Sequence, residues 1–433
     1  MDASIVESTE VREAWPALSV LERIEALRLL PRSDAEDLFF GLTAKEQAEL
    51  VMAFPQSDRR SWLRMLEPDD AADLLQACNR DRRDEFLHLL DERTLHEVKG
   101  LLRYSEDAAG GLMNPRFARL RPDMAADEAL AYIHKQARER LEIFYYGYVC
   151  DDDNHLLGVL SFRELFTADS SHLISDLMHQ DFVAGRDDMD QEALSHLFTR
   201  YEFIAMPILD AEGHMKGIVT FDDIVEVVKE EATEDIQKLG GSEALEEPYM
   251  TIGFWQMVKK RAGWLAALFL GEMLTATAMG HFENEIARAV VLALFVPLII
   301  SSGGNSGSQA STLVIRAMAL GEVALRQWWR VMRREIASGL ALGTVLAVIG
   351  FLRIVAWQWF FGTYGEHYLL VAMTVSFSLI GVVLFGTLAG SMLPLLLRRL
   401  GFDPASASAP FVATLVDVTG IIIYFSIATI YLL

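Results

Sequence analysis

Five apolar stretches, at about 262–280, 289–318, 336–361, 367–397 and 408–433, fill most of the last two fifths of this 433-residue chain. Crossing the bilayer hydrocarbon takes about 20 apolar residues at about 1.5 Å each, and every stretch supplies them. Backbone polar groups must be satisfied internally in lipid, so this half is expected to be a helical membrane domain with five spans. Basic residues set the threading. Lys259, Lys260 and Arg261 precede the first stretch, Arg316, Arg326, Arg330, Arg333 and Arg334 lie between the second and third, and Arg398 and Arg399 lie between the fourth and fifth. The connections at 281–288 and 362–366 hold only Arg288. The positive-inside rule then puts the N-terminus inside and the C-terminus outside.

Charge separates along the chain in the same way. Residues up to 258 carry 26 Lys and Arg against 53 Asp and Glu, whereas the remainder carries 12 against 8. So acidic a segment repels nucleic acid and anionic lipid headgroups, and it offers oxygen ligands to hard cations. Cys78 and Cys150 are the two cysteines, with no metal-site spacing, which fits a reducing compartment. The N-terminal MDASIVESTEVREAWP has no basic n-region followed by an apolar core, so no cleaved signal is expected and the acidic half stays in the cytosol.

Two repeats organise the acidic half. Asp34-Ala-Glu-Asp-Leu-Phe39 is echoed 36 residues later by Asp70-Ala-Ala-Asp-Leu-Leu75 among short amphipathic helices, which fits a helical-hairpin solenoid or an ordinary bundle. Further on, Val149-Cys-Asp-Asp-Asp-Asn154 with Gly158-Val-Leu-Ser-Phe-Arg-Glu-Leu165 returns at an offset of 59 as Ile208-Leu-Asp-Ala-Glu-Gly213 with Gly217-Ile-Val-Thr-Phe-Asp-Asp-Ile224. Each copy reads as strand, turn, strand, then a helix capped by Ser161 or Thr220. The pair resembles tandem CBS domains over about residues 112–230. After it, a charged helix is expected to run to about Leu239 and stop at Gly240-Gly241.

Two features at membrane depth invite ions. Asp417 lies about 13 Å along the last span from Ser408, and an unpaired carboxylate at that depth costs several kcal/mol unless it faces a partner or water. A structural hydrogen bond or a proton-relay role would also account for it. Ala409, Ala413 and Asp417 share one helical face of small side chains ending at the carboxylate. In the second span, Pro297 to Arg316 carries a polar, glycine-rich block that must line a cavity or a helix contact. Gly339-xxx-Gly343 and Gly386-xxx-Gly390 read as helix-packing pairs. The Gly303–Gly307 segment lacks the lysine and context of a phosphate-binding loop.

With these residues in view, GGNSGSQASTLVIRAMALGE at 303–322, DPASASAPFVATLVDVTG at 403–420 and EEATEDIQKLG at 230–240 resemble the MgtE magnesium-channel family, in the family's order along the whole chain. The resemblance implies an all-α five-span membrane domain (259–433), a cytosolic α-helical N domain (1–110), α/β tandem CBS domains (111–228) and a linking, plugging helix and loop (229–258). It implies a homodimer in the lipid of a bacterial-type plasma membrane, passing Mg2+ between subunits, with the metal met by Asp417, the Ala413 carbonyl and the polar positions Asn305, Ser308 and Thr312. It also implies regulatory Mg2+ at Asp190, Glu192, Asp223, Glu234, Asp235 and Asp403, whose carboxylates repel until cation binding closes the assembly. One or two carboxylates plus waters suit an ion that dehydrates reluctantly. Ala409 and Ser308 stand where several members carry Asn, and Ala287 where some carry an acid, with Glu283 and Glu285 close by.

Tyr146, Arg163 and Phe203 match positions that hold ATP in some relatives; stacking and phosphate contact suit them, as do plain core and surface roles. An ion-coupled secondary transporter of divalent cations is the alternative. An anion channel is disfavoured because Arg353 is the one Lys or Arg deep in the spans. No catalytic triad, zinc signature or nucleotide-hydrolysis motif points to an enzyme.

Overall fold

The computed structural model describes residues 8–138, 145–245, 249–250 and 252–431. It comprises two compact units, Met1–Lys229 and Glu230–Leu433. Residues 1–7 of the N-terminal segment, and 246–248 and 251 of the linking loop, lie outside the described set.

The first unit opens with helices α1 (Ser8–Ala14), α2 (Val20–Leu29), α3 (Arg32–Phe40), α4 (Ala44–Ala53), α5 (Gln56–Leu63), α6 (Pro68–Ala77), α7 (Arg80–Leu87) and α8 (Glu92–Leu101). From α2 on they form a solenoid in which α2, α4, α6 and α8 stack in turn. The true period is 24 residues, not the 36 of the Asp34/Asp70 echo. That echo aligns α3 with α6, two helices of opposite position in the repeat, because both carry acids in a first turn that follows or contains proline. Every stacking helix begins one residue after a polar Ser19, Thr43, Glu67 or Asp91; Ser19, Thr43 and Asp91 accept a backbone N–H of the first turn. The buried ladder Phe39, Leu63, Leu87 repeats at the same 24.

After α9 (Ala109–Leu112), two like motifs follow. The first is β1 (Ala118–Leu120), α10 (Ala126–Arg138), β2 (Tyr146–Cys150), β3 (Leu156–Ser161) and α11 (Phe162–Thr167). The second, after α12 (Ile174–Leu177), is β4 (Gly185–Arg186), α13 (Gln191–Tyr201), β5 (Ala205–Leu209), β6 (Met215–Thr220) and α14 (Phe221–Leu239). Each sheet pairs its first two strands parallel and its last two antiparallel, with a bulge at Val149/Cys150 in one and at Ile208/Leu209 in the other. The offset of 59 therefore holds residue for residue. Its turn needs a left-handed backbone, which Asn154 (φ 69°) and Gly213 (φ 93°) adopt with the least strain.

The unit boundary falls inside α14, which ends at Leu239; Gly241 then takes φ 73°. The second unit continues with α15 (Phe254–His281), α16 (Glu283–Arg288), α17 (Val296–Ala319), α18 (Trp328–Phe361), α19 (Tyr368–Arg399) and α20 (Ala409–Tyr431). Five helices are long and apolar enough to cross a membrane. Two begin well before their apolar stretch, so Lys259–Arg261 lie in the second turn of α15, and Arg330, Arg333 and Arg334 in the first two turns of α18.

The glycine-rich block of the second stretch is helical throughout and serves a helix contact. Gly303 and Gly307 of α17 meet Gly386 and Gly390 of α19 backbone to backbone, where a Cβ on either α19 glycine would strike a carbonyl oxygen. Gly343 of α18 likewise lies against α19, where a Cβ would come within 2.9 Å of the Ile380 Cα. Ser306 and Thr387 share a hydrogen bond of 2.8 Å at this buried seam, and the buried Ser311 hydroxyl donates to the Ala407 carbonyl.

Candidate ion route and acid clusters

Helix α17 carries its glycines on the buried side and a polar stripe on the other. Asn305 and Thr312 are exposed and Ser308 is half-buried, while Gly303, Gly304, Ser306 and Gly307 are buried. Helix α20 crosses beside this stripe in antiparallel register. A Cβ on Gly304 would sit 3.5 Å from that of Ala413, and the Ser308 hydroxyl donates to the Ala409 carbonyl at 3.3 Å. Four residues on along α20, Asp417 comes level with Ile300 and Ser301. The structure thus brings Asn305, Ser308 and Ala413 to one seam, with Asp417 about one turn further on and Thr312 at the opposite end. Ser301, whose hydroxyl lies 3.5 Å from Asn305 Nδ2, extends the stripe to the level of the carboxylate.

Sequence reasoning passed over a second acid at this depth. Glu272 lies in α15, the first span, one residue past the Gly271 that lies against Thr414 of α20, and so near the height of Asp417. The signal was present, since a carboxylate eleven residues past Arg261 meets the same test that singles out Asp417.

Within the first unit, Asp223 stands in a cluster the sequence did not assemble. Thr220 donates to it through its backbone N–H (3.1 Å) and its hydroxyl (2.7 Å). Asp69 of α6 is buried, with Asn114 donating to it at 3.3 Å and also bonding Glu67. Burial, then the carboxylates of Asp223, Asp70, Glu67 and Asp73, push the Asp69 carboxyl well above the usual carboxylate range. Burial, with Asp222 and Asp70 beside it, pushes Asp223 up to about 7 against the pull of Thr220. Such a group of oxygens suits a divalent cation, which would replace protons as the neutralising charge. The visible sign was Glu67-Pro-Asp-Asp-Ala-Ala-Asp73, which the repeat analysis treated only as an echo.

The other predicted acids are dispersed. Asp190 caps α13, accepting the Glu192 N–H, and Glu192 lies 3.8 Å from His196. In the second unit, Lys238 of α14 pairs with Glu234 and, at 2.6 Å, with Asp403. Burial lowers the Lys238 ammonium, but the two carboxylates outweigh it and hold it above the usual lysine range. Two predicted sensor acids therefore share one cation that sequence reasoning missed, because Lys238 and Asp403 are 165 residues apart. Asp235 lies on the same helix. Of the nucleotide positions, Tyr146 pairs with Ser161, two residues before Arg163, so these two lie together. Phe203 packs instead against the core that contains Leu194 and Phe198.

Comparison with known proteins agrees with this layout. Residues 296–427 match the MgtE family, described as a divalent cation transporter; residues 6–107 match the MgtE intracellular N domain, and 109–171 and 174–230 match the CBS domain. Magnesium transporter MgtE of Thermus thermophilus is 42% identical over 79% of this chain and 74% of its own length. That of Enterococcus faecalis is 33% identical over 78% of this chain and 72% of its own length. A crystal structure of the cytosolic domain of the Mg2+ channel MgtE in complex with ATP is 36% identical, covers 52% of this chain and 92% of its own, and has a TM-score of 0.48. With family models matched across the N domain, the CBS pair and the membrane helices, and with identity of 42% over most of the chain, the chain belongs to the MgtE family of divalent cation transporters.

Proposed function

We propose that the chain passes Mg2+ across the plasma membrane as a homodimer, with its first unit in the cytosol and its C-terminus outside. The observation that carries this reading is the position of Asp417, half-buried at mid-depth in α20 beside the polar stripe of α17. A hydrated Mg2+ keeps most of its waters and takes one or two carboxylates, so Asp417 contacts the ion while the Ala413 carbonyl, Asn305, Ser308 and Thr312 bond its waters. Support for the ion comes from relatives named as magnesium transporters.

Regulation follows from the acid clusters. At low cytosolic Mg2+, Asp223 and its α6 neighbours repel, as do Asp190 and Glu192 with nearby acids, and the cytosolic unit opens. Mg2+ binding there, and at Glu234, Asp235 and Asp403, draws these groups together and closes the route. Tyr146 and Arg163 offer a stacking face and a guanidinium to ATP, while Phe203, packed on the core of the second motif, would have to act apart from them.

The test is Mg2+ uptake into proteoliposomes by wild type, Asp417→Asn and Asp417→Ala. Loss of flux in both variants is expected, and retained flux in both removes Asp417 from the route. Uptake that stops when the proton and sodium gradients are collapsed favours a coupled transporter instead.

A further inference from the structure

Asp417 has an acidic neighbour on another span. Helices α15 and α20 run side by side in the same direction, since Trp264 meets Phe411 (ring centroids 6.4 Å apart), Gly271 lies against Thr414, and Phe282 stacks on Phe425 (5.3 Å). Glu272 adjoins the Gly271–Thr414 contact and Asp417 is three residues beyond it, so the two carboxylates stand within about one turn, about 5 Å, of the same height. Counted from Arg261, Glu272 is about 16 Å into the apolar span, and Asp417 is about 13 Å from Ser408. Both are near the middle of the hydrocarbon.

Neither carboxylate has a hydrogen bond or ion pair among the described residues. Asp417 is half-buried and Glu272 exposed on the surface of the chain. A carboxylate turned to hydrocarbon at that depth is strongly disfavoured, so a surface glutamate there faces water and cations. Thr275, one turn along the same side of α15, has its hydroxyl buried with no partner among the described residues. It is therefore available to a bound water.

We propose that Glu272 supplies a second carboxylate to the ion route at the height of Asp417 and sets its preference for divalent over monovalent cations. The proposal rests on the reading of Asp417 as the ion-contacting residue. Any negative charge attracts a doubly charged ion twice as strongly as a singly charged one, so each carboxylate added at the level of Asp417 widens the energy gap between the two. Glu272 acts through this field and through the waters of the ion, as a specificity-determining residue, and leaves the direct contact to Asp417.

The experiment compares full-length wild type, Glu272→Gln, Glu272→Asp and Asp417→Asn in proteoliposomes, measuring Mg2+ flux and its competition with K+. For Glu272→Gln, the half-saturating Mg2+ concentration is expected to rise about tenfold and the Mg2+/K+ preference to fall about tenfold, with Glu272→Asp near wild type. A second arm places Glu272→Cys in a background with Cys78 and Cys150 replaced by Ala. Modification there with an anionic methanethiosulfonate restores the preference, and modification with a neutral one does not, which separates charge from folding. Wild-type half-saturation and preference in Glu272→Gln, together with loss of flux in Asp417→Asn, overturn the proposal alone. Flux retained in Asp417→Asn overturns the underlying reading.

Discussion

Replacing Asp223 by Asn should make the first unit more stable, not less, when divalent cations are absent. The folded-state carboxyl of Asp223 titrates at about 7, against 3.8 for the ordinary group. With the pKa raised, the folded chain binds the proton more tightly than the unfolded one, so stability is fully present below about pH 4 and declines as pH rises to about 7. About three units at about 1.4 kcal/mol each set a ceiling of about 4 kcal/mol. Asp223 is half-buried, and screening by solvent brings the effect to about 2 kcal/mol. For a unit of about 200 residues this corresponds to about 4–8 °C in the unfolding midpoint. The assay is heat-dependent proteolysis of the full chain in excess EDTA, scored on peptides from residues 8–229 at pH 5.5 and pH 8. Wild type should lose stability between the two pH values and regain it at pH 8 on adding Mg2+. Asp223→Asn should show little pH dependence, a higher midpoint than wild type at pH 8 in EDTA, and a smaller gain from Mg2+. A variant less stable than wild type in EDTA at pH 8 would show that the cluster is held by Asp223 and not strained by it.

Two further outcomes follow from the packing and the ion pairs. Gly386→Val places a side chain against the Gly303 carbonyl and should cost about 3 kcal/mol, which detergent extraction will report as aggregation, while Gly401→Val, with open space around its Cβ, should still extract as a soluble species despite its strained backbone. Lys238→Gln removes the cation shared by Glu234 and Asp403 and leaves two carboxylates for Mg2+; the cytosolic Mg2+ that halves the flux should fall about threefold to tenfold, and an unchanged or higher midpoint means that Lys238 does not compete with the ion.

How much could be read in advance depended on how local each cause was. The CBS pair was legible because its turn demands a left-handed residue, met by Asn154 and Gly213, and because Ser161 and Thr220 open a helix at the same offset, each giving its N–H to the carboxylate three residues on. The five spans were legible because lipid leaves little choice of structure. A helical-hairpin solenoid was one of two readings, but its 24-residue period was hidden: the ladder of Leu30, Phe54 and Cys78 varies in side chain, and burial comes only from stacking. The Asp69 cluster was half legible: the run of acids from Glu67 to Asp73 is plain in the sequence, but nothing local marks a first-turn aspartate as buried. Lys238 needed the approach of a distant loop, whereas Glu272 needed only the rule already applied to Asp417. The helix seam was half legible, with Gly386 and Gly390 named but their partners Gly303 and Gly307 assigned to a polar block.

The solenoid has a mechanical consequence. The stacking helices α2, α4, α6 and α8 pack each on the next, and α6 and α8 are also tied to the CBS pair through Asn114 and Arg116, so small rotations at successive junctions accumulate toward that anchored end. Such a body behaves as a spring with a soft bending mode and stiff units. Helix α6, which carries Asp69, Asp70 and Asp73, is one coil of that spring. Charge gathered or neutralised there acts as a load on it, and curvature is the coordinate that yields.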